Sequence, residues 1–190
     1  MGLIFVDCEA YGGCPATGNL TEFGAVAYPK RDSYHGIVIP YEPDPDNPAI
    51  PRPLGPIIPD RLNSKRRYLA KEFAEWITRV SKDSRPIFVS DNPAFDWQWI
   101  NDLFLTTTGT NPFGHSARRI GDFYAGLSND FFHKQDWKRL RKTKHDHNPI
   151  HDCLGNVEAF EKLMERAKIQ YELTAQRIEA IRDSLSAKIG

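Results

Sequence analysis

The sequence predicts an α/β domain, a mixed central sheet flanked by helices. Three observations predict it. Short apolar, β-branched runs gather near the N-terminus, amphipathic helical stripes follow them, and one more short apolar run sits between two of those stripes. Strands, then a helix, another strand and further helices are the order of a layered mixed sheet. At 190 residues, with no repeat and no dividing linker, the chain is expected to form one domain over 1–190.

Leu3 to Val6 read as a buried first strand, followed by a turn-rich connection at Gly12, Gly13, Pro15 and Gly18. Glu22–Tyr28 suits a second strand and Gly36–Pro40 a third, and their short connections suggest an antiparallel meander. Eight prolines between Pro40 and Pro59 exclude a regular helix or central strand there, leaving a Pro-rich loop over 40–59. Leu69, Phe73, Trp76, Ile77 and Val80 form one helical stripe over 66–82. A short strand, Pro86–Val89, precedes a helix over Phe95–Leu105 with Ile100, Leu103 and Phe104 inward. Gly109–Gly114 reads as a loop and Lys134–Lys144 as a basic segment. Two final helices are expected, Leu154–Ala167 and roughly 170–188.

Composition narrows the function. Hydrophobic residues at 40% and aromatic residues at 12% supply a core and argue against disorder. A formal net charge of +0 argues against a binder of long polyanion tracts, but not against an enzyme that grips a strand end through metal ions. Cys8, Cys14 and Cys153 make no CxxC pair, so a disulfide scaffold or structural zinc is not expected and a reducing compartment is. The N-terminus lacks a basic n-region and no apolar run approaches the ~20 residues of a membrane span. The chain is expected to be soluble and cytoplasmic.

Asp7 and Glu9 stand two apart on the first strand, so both side chains point to one face and Cys8 to the other. Adjacent carboxylates repel unless a cation bridges them or one stays protonated, and a hard divalent ion resolves this. The plain alternative is a pair of exposed acids at a strand end. Asp96 follows VSDNPAF, which places it at a helix start beyond a strand's carboxyl end. There it could be an N-cap, with Asp91 the competitor. His147 lies in a loop, with Pro149 between it and Asp152 at the next helix start. His145 and His151 are rivals that local chemistry does not separate from His147.

Together, Asp-x-Glu on a first strand, Asn-x-x-Phe-Asp at a turn into a helix, and His-x4-Asp entering a helix resemble the three motifs of the DEDDh family. That family comprises 3'-5' exonucleases on a ribonuclease H-like fold, oligoribonuclease, ribonuclease T and the proofreading subunit of bacterial DNA polymerase III among them. The resemblance runs from about Leu3 to Met164, and within the family the chain is similar to small stand-alone bacterial and phage exonucleases. It implies that Asp7, Glu9, Asp96 and Asp152 ligate two Mg²⁺ or Mn²⁺ ions. It also implies that His147, five before the last Asp as in the family's HNALDDA pattern, is the general base. The implied reaction is two-metal hydrolysis at the 3' end of a single strand, releasing nucleoside 5'-monophosphates, with RNA slightly favoured over DNA. Ala10, Tyr11 and Gly12 depart from the family's usual Thr-Thr-Gly and put its threonine contact to the terminal nucleotide in doubt.

Four residues are expected to touch substrate. Tyr11 could stack on a terminal base or serve as a core aromatic. Asn92 opens the second motif. Arg119, beside Arg118, and Lys142, in the run Lys134, Lys138, Arg139, Arg141, Lys142, Lys144, could track phosphates or form an ordinary solvated face. Some relatives are dimers, so a homodimer through the C-terminal segment (Ile178, Ile181, Leu185, Ile189) is a further expectation. Two other readings are a degenerate nucleic-acid-binding module and a ribonuclease H-type endonuclease. The filled catalytic positions argue against the first, and His147-x4-Asp152 against the second.

Overall fold

A computed structural model describes residues 2–39, 41–43, 51–53, 59–82, 84–132 and 135–189. Its central sheet has five strands among the described residues. Strand β1 (Gly2–Tyr11) pairs antiparallel with β2 (Asn19–Tyr28), which pairs antiparallel with β3 (Ser33–Ile37). On its other side β1 pairs parallel with β6 (Pro86–Ser90), and β6 parallel with β7 (Ala117–Arg119). The sheet is therefore mixed, as the sequence predicts. β1 runs well past Val6, because β2 supplies backbone partners along its whole length, Leu3 opposite Tyr28 through Tyr11 opposite Asn19. The third strand starts earlier than expected, at Ser33.

Alternation along β1 builds two cores. Ile4, Val6 and Cys8 face α1 (Pro59–Ser81) and α2 (Pro93–Thr107). Phe73 of α1 centres that side, with ring centroids 5.0 Å from Tyr34, 5.8 Å from Trp76 and 5.6 Å from Phe104. Removing such a buried ring costs about 3–5 kcal/mol. Phe5, Val26 and Val89 face the other way, against Trp137, Val157 and Leu163. Asp7 and Glu9 continue the Phe5 row, so the sheet face carrying them is the one covered by α4 (Pro149–Ile189).

Several elements differ from expectation. The two final helices are one helix, α4, since Lys168 to Glu172 contains neither Gly nor Pro to break it. Helix α1 starts at Pro59, where a proline needs no hydrogen-bond partner for its nitrogen. A short helix, α3 (Ile120–Ser128), has no counterpart in the sequence reading. It is glycine-bearing and brief, and it ends on Asn129 in the left-handed region at φ 50°. Trp137 lies in a 3₁₀ turn, Asp136–Leu140, within the basic segment. Of the Pro-rich loop, Tyr41–Pro43 (β4) and Pro51–Pro53 (β5) form a separate two-stranded antiparallel ribbon, and residues 40, 44–50 and 54–58 lie outside the described residues. Among the described residues no helix is long and apolar enough to cross a membrane.

Candidate active site

The site forms where β1 meets the start of α4. Asn148 caps that helix, its side-chain oxygen accepting from the amides of Ile150 at 3.0 Å and His151 at 3.2 Å. Pro149 then rests on the sheet at Gly24, the residue directly opposite Asp7 on β2. A Cβ on Gly24 would come within 2.5 Å of the Pro149 carbonyl carbon. Glycine there lets the helix start sit against the strand, and the first helical turn delivers Asp152 to the β1 acids. Carboxylate oxygens of Asp7, Glu9 and Asp152 lie within 4.8 Å of one another.

Asp96, the fourth expected ligand, stands behind this trio. It is buried in the first turn of α2, where Oδ1 accepts from the Cys8 amide at 3.0 Å and Oδ2 from the Ser90 hydroxyl. Its role is not that of a cap, because α2 begins after Asn92 with no side-chain cap bond. The β1–β6 pairing stops at Phe5 and Val89, so the Cys8 amide is free for Asp96 to satisfy.

Crowded acids in a buried place resist ionisation. Burial, then the charges of Asp96, Asp152 and Glu9, push Asp7 well above the ordinary carboxylate range. Burial, then Asp152 and Glu22, push Glu9 to about 8. Burial raises Asp96 to about 7 against the opposing hydrogen bonds of Ser90 and Cys8. Asp152 is 2% exposed, yet neither of its oxygens accepts a hydrogen bond. His145 Nδ1 stands 2.7 Å from Asp152 Oδ1, outside hydrogen-bonding alignment. Buried carboxylate oxygens without an aligned hydrogen bond, in an all-oxygen set, fit a hard divalent cation.

His147 lies beside the trio, its Nδ1 3.7 Å from Glu9 Oε1, in the left-handed region at φ 60° and half exposed. Its ring is 4.5 Å from that of His145. His151 points elsewhere, with Nδ1 2.8 Å from Asp146. The structure thus leaves two histidines at the site mouth, not three.

The expected substrate contacts divide. Tyr11 ends β1 at 46% exposure, and Asn92 is exposed just ahead of α2. Arg119 is half-buried, donating from Nε to the Asp91 carbonyl at 3.1 Å. The Lys142 side chain is exposed, and its amide binds Glu158 at 2.8 Å. Two members of the basic run pair with Asp91, while Arg139, Lys142 and Lys144 stay exposed. Lys138 Nζ lies 2.6 Å from Asp91 Oδ2, and a buried Arg141 donates to the same oxygen at 3.1 Å and to Asn156 at 2.5 Å. Lys134 lies outside the described residues.

Two acids have places that the sequence does not show, and it offers Asp91 only as a helix cap. Asp91 gathers Lys138 and Arg141, at separations no local pattern reveals. Glu22 is buried directly opposite Glu9, and its Oε2 lies 2.5 Å from His35 Nε2. Counting the β1–β2 register would have found it.

No family model matches the chain. Over 107 residues it is 36% identical to the 3'-5' DNA exonuclease Cap18 of Escherichia coli, a match covering 52% of this chain and 57% of that relative. The chain therefore spans little more than half the length of the curated relative it matches. The nuclease domain of 3'hExo, a DEDDh family member solved with rAMP, superposes with a TM-score of 0.55 at 14% identity, over 88% of this chain and 91% of that one. The chain has the fold of a DEDDh exonuclease domain. The zinc-bound E. coli ExoI–ssDNA complex is a looser likeness, at TM-score 0.47 and 13% identity over 90% of this chain and 42% of that one, and adds nothing to the assignment. The mixed sheet flanked by helices that the sequence predicts is the fold observed, and it is the fold of the 3'hExo nuclease domain, with Asp7, Glu9 and Asp152 together at the carboxyl end of β1 and the start of α4.

Proposed function

We propose that this protein, as a single exonuclease domain, is a metal-dependent 3'-5' exonuclease acting on single-stranded nucleic acid and releasing nucleoside 5'-monophosphates. One observation carries the proposal: three carboxylates from β1 and α4 converge within 4.8 Å, with Asp152 buried and lacking hydrogen bonds. Asp7, Glu9 and Asp152 would hold two Mg²⁺ or Mn²⁺ ions, with Asp96 as the fourth ligand. Bound ions of this kind acidify water and offset charge on the leaving 3' oxygen. His147 would take the water's proton at Nε2, since its Nδ1 is turned toward Glu9. Tyr11 offers a ring for the terminal base, and Asn92, Arg119 and Lys142 would hold the strand.

The sequence leaned toward RNA. The E. coli relative is named for DNA, so single-stranded DNA is the proposed substrate. Exposed Tyr171, Ile178 and Ile181 along α4 support a homodimer, and three free cysteines suit the cytoplasm.

A gel with 5'-labelled single-stranded DNA, single-stranded RNA, duplex and circular DNA, with Mg²⁺ or EDTA, tests the reading. The expected result is a ladder shortening from the 3' end, faster on DNA and stopped by EDTA. A cut circle would make the protein an endonuclease, and binding without shortening a catalytically silent module.

A further inference from the structure

The loop that carries His147 has few contacts of its own. Residues 144–147 are exposed; Asp146 bonds only locally, and beyond that His145 and His147 approach Asp152 at 2.7 Å and Glu9 at 3.7 Å. Its two ends, in contrast, are fixed on named atoms. Downstream, the Asn148 cap and the approach of Pro149 to Gly24 fix where the loop finishes. Upstream, residues 141–143 lie directly on α4. A Cβ at Gly155 would meet the Thr143 carbonyl oxygen at 3.0 Å and Arg141 Cδ at 3.2 Å, so only glycine admits this approach without displacement.

One side chain holds the upstream end. Glu158 Oε2 accepts from the successive amides of Lys142 and Thr143, both at 2.8 Å, while Oε1 accepts from the Thr143 hydroxyl at 3.1 Å. Carboxylate-to-amide bonds of this kind are stronger than neutral ones. Arg141 adds a second tie, from Asn156 on the same helix to Asp91 past the end of β6. Glu158 therefore sits on the helix whose first turn carries Asp152 and grips the chain four and five residues ahead of His147.

We propose that Glu158 is a positioning residue for His147: its grip on Lys142 and Thr143 sets the distance between the histidine ring and the carboxylates. The proposal rests on His147 being the base. A base displaced by an ångström loses rate without losing substrate, since proton transfer depends steeply on geometry and ground-state binding does not.

The test is a double-mutant cycle on the full chain, read as kcat and KM on single-stranded DNA with saturating Mn²⁺. Glu158→Ala is expected to lower kcat about 10- to 100-fold. The Mn²⁺ titration midpoint should stay within about 2-fold of wild type, and any rise in KM should not exceed that of Lys142→Ala. In a His147→Ala background the same change is expected to cost less than about 2-fold more, because the group it positions is gone. Thr143→Ser, which keeps the hydroxyl, should retain the wild-type kcat. Where Glu158→Ala melts early, Glu158→Gln, which keeps one acceptor oxygen, is read in the same cycle. An undiminished loss in the His147→Ala background would overturn the proposal, since Glu158 would then act elsewhere. So would an unimpaired Glu158→Ala beside a crippled His147→Ala. A wild-type rate for His147→Ala itself would instead strike the base assignment, and the positioning role would fall with it.

Discussion

The strand that carries Asp7 and Glu9 and the loop that carries His147 meet at one site but are held by opposite means. β1 lies between β2 and β6, with its apolar residues in both cores and its two acids fixed by alternation. The histidine loop is exposed and set by the anchoring of its ends. The half proposed to bind cations is thus built into the sheet and comes with the fold. The half proposed to handle the proton is tethered, and its geometry depends on a few polar bonds that the fold itself does not require.

Three tests sharpen or break that contrast. The largest effect is expected from Asp7→Asn. It removes a charge from the rigid half, so activity should fall at least about 10²- to 10³-fold, as when a preorganised electrostatic contact is lost. The melting temperature should hold or rise, because an acid crowded by other acids has gone. Near-normal turnover at matched metal would break the assignment. Next in size is the tethered half. His147→Ala should cut kcat by roughly 10²- to 10⁴-fold, and His145→Ala far less. A reversed order would move the base to His145, whose Nδ1 stands 2.7 Å from Asp152.

The smallest expected effect is on stability. Without metal, Glu9 at about 8 and Asp96 at about 7 stand above their ordinary 4.5 and 3.8. Between roughly pH 4 and pH 8 the native state then binds more protons than the unfolded chain. These groups cost nothing below the unfolded values, and stability falls as pH rises through the folded ones. Melting in EDTA should drop from pH 5 to pH 8.5, and Mn²⁺ should restore most of the loss at the upper end. A melting temperature in EDTA that rises over this range would mean the acids are not held protonated.

Legibility followed the same division. The carboxylates could be read because strand alternation and a helix start are local rules, and Asp7, Glu9 and Asp152 obey them. Asp96 was placed on the right element, but its grip on the Cys8 amide depends on where β6 stops pairing, which is a tertiary fact. The basic run stood open between a phosphate track and a solvated face, and the sequence did not show that two of its members, Lys138 and Arg141, pair with Asp91 about fifty residues away. Charge in a sequence does not say which way it points. Glu22 was hidden for a related reason: its meaning lies in standing opposite Glu9, and register is a property of two strands. The break drawn within α4 came from counting apolar stripes where the backbone had no cause to stop.

Gly24 has a consequence for how this sheet tolerates change. Glycine weakens a strand, and a β-branched residue is the usual improvement at such a position. Here the missing side chain works as a keyway, and the backbone at Pro149 is the key. Any heavier residue would lift the helix off the strand and carry Asp152 out of reach of Asp7. The sheet gives up local strand propensity at this one place to fix a distance between two segments far apart in the chain, so selection for a better strand there would work against selection for a working centre.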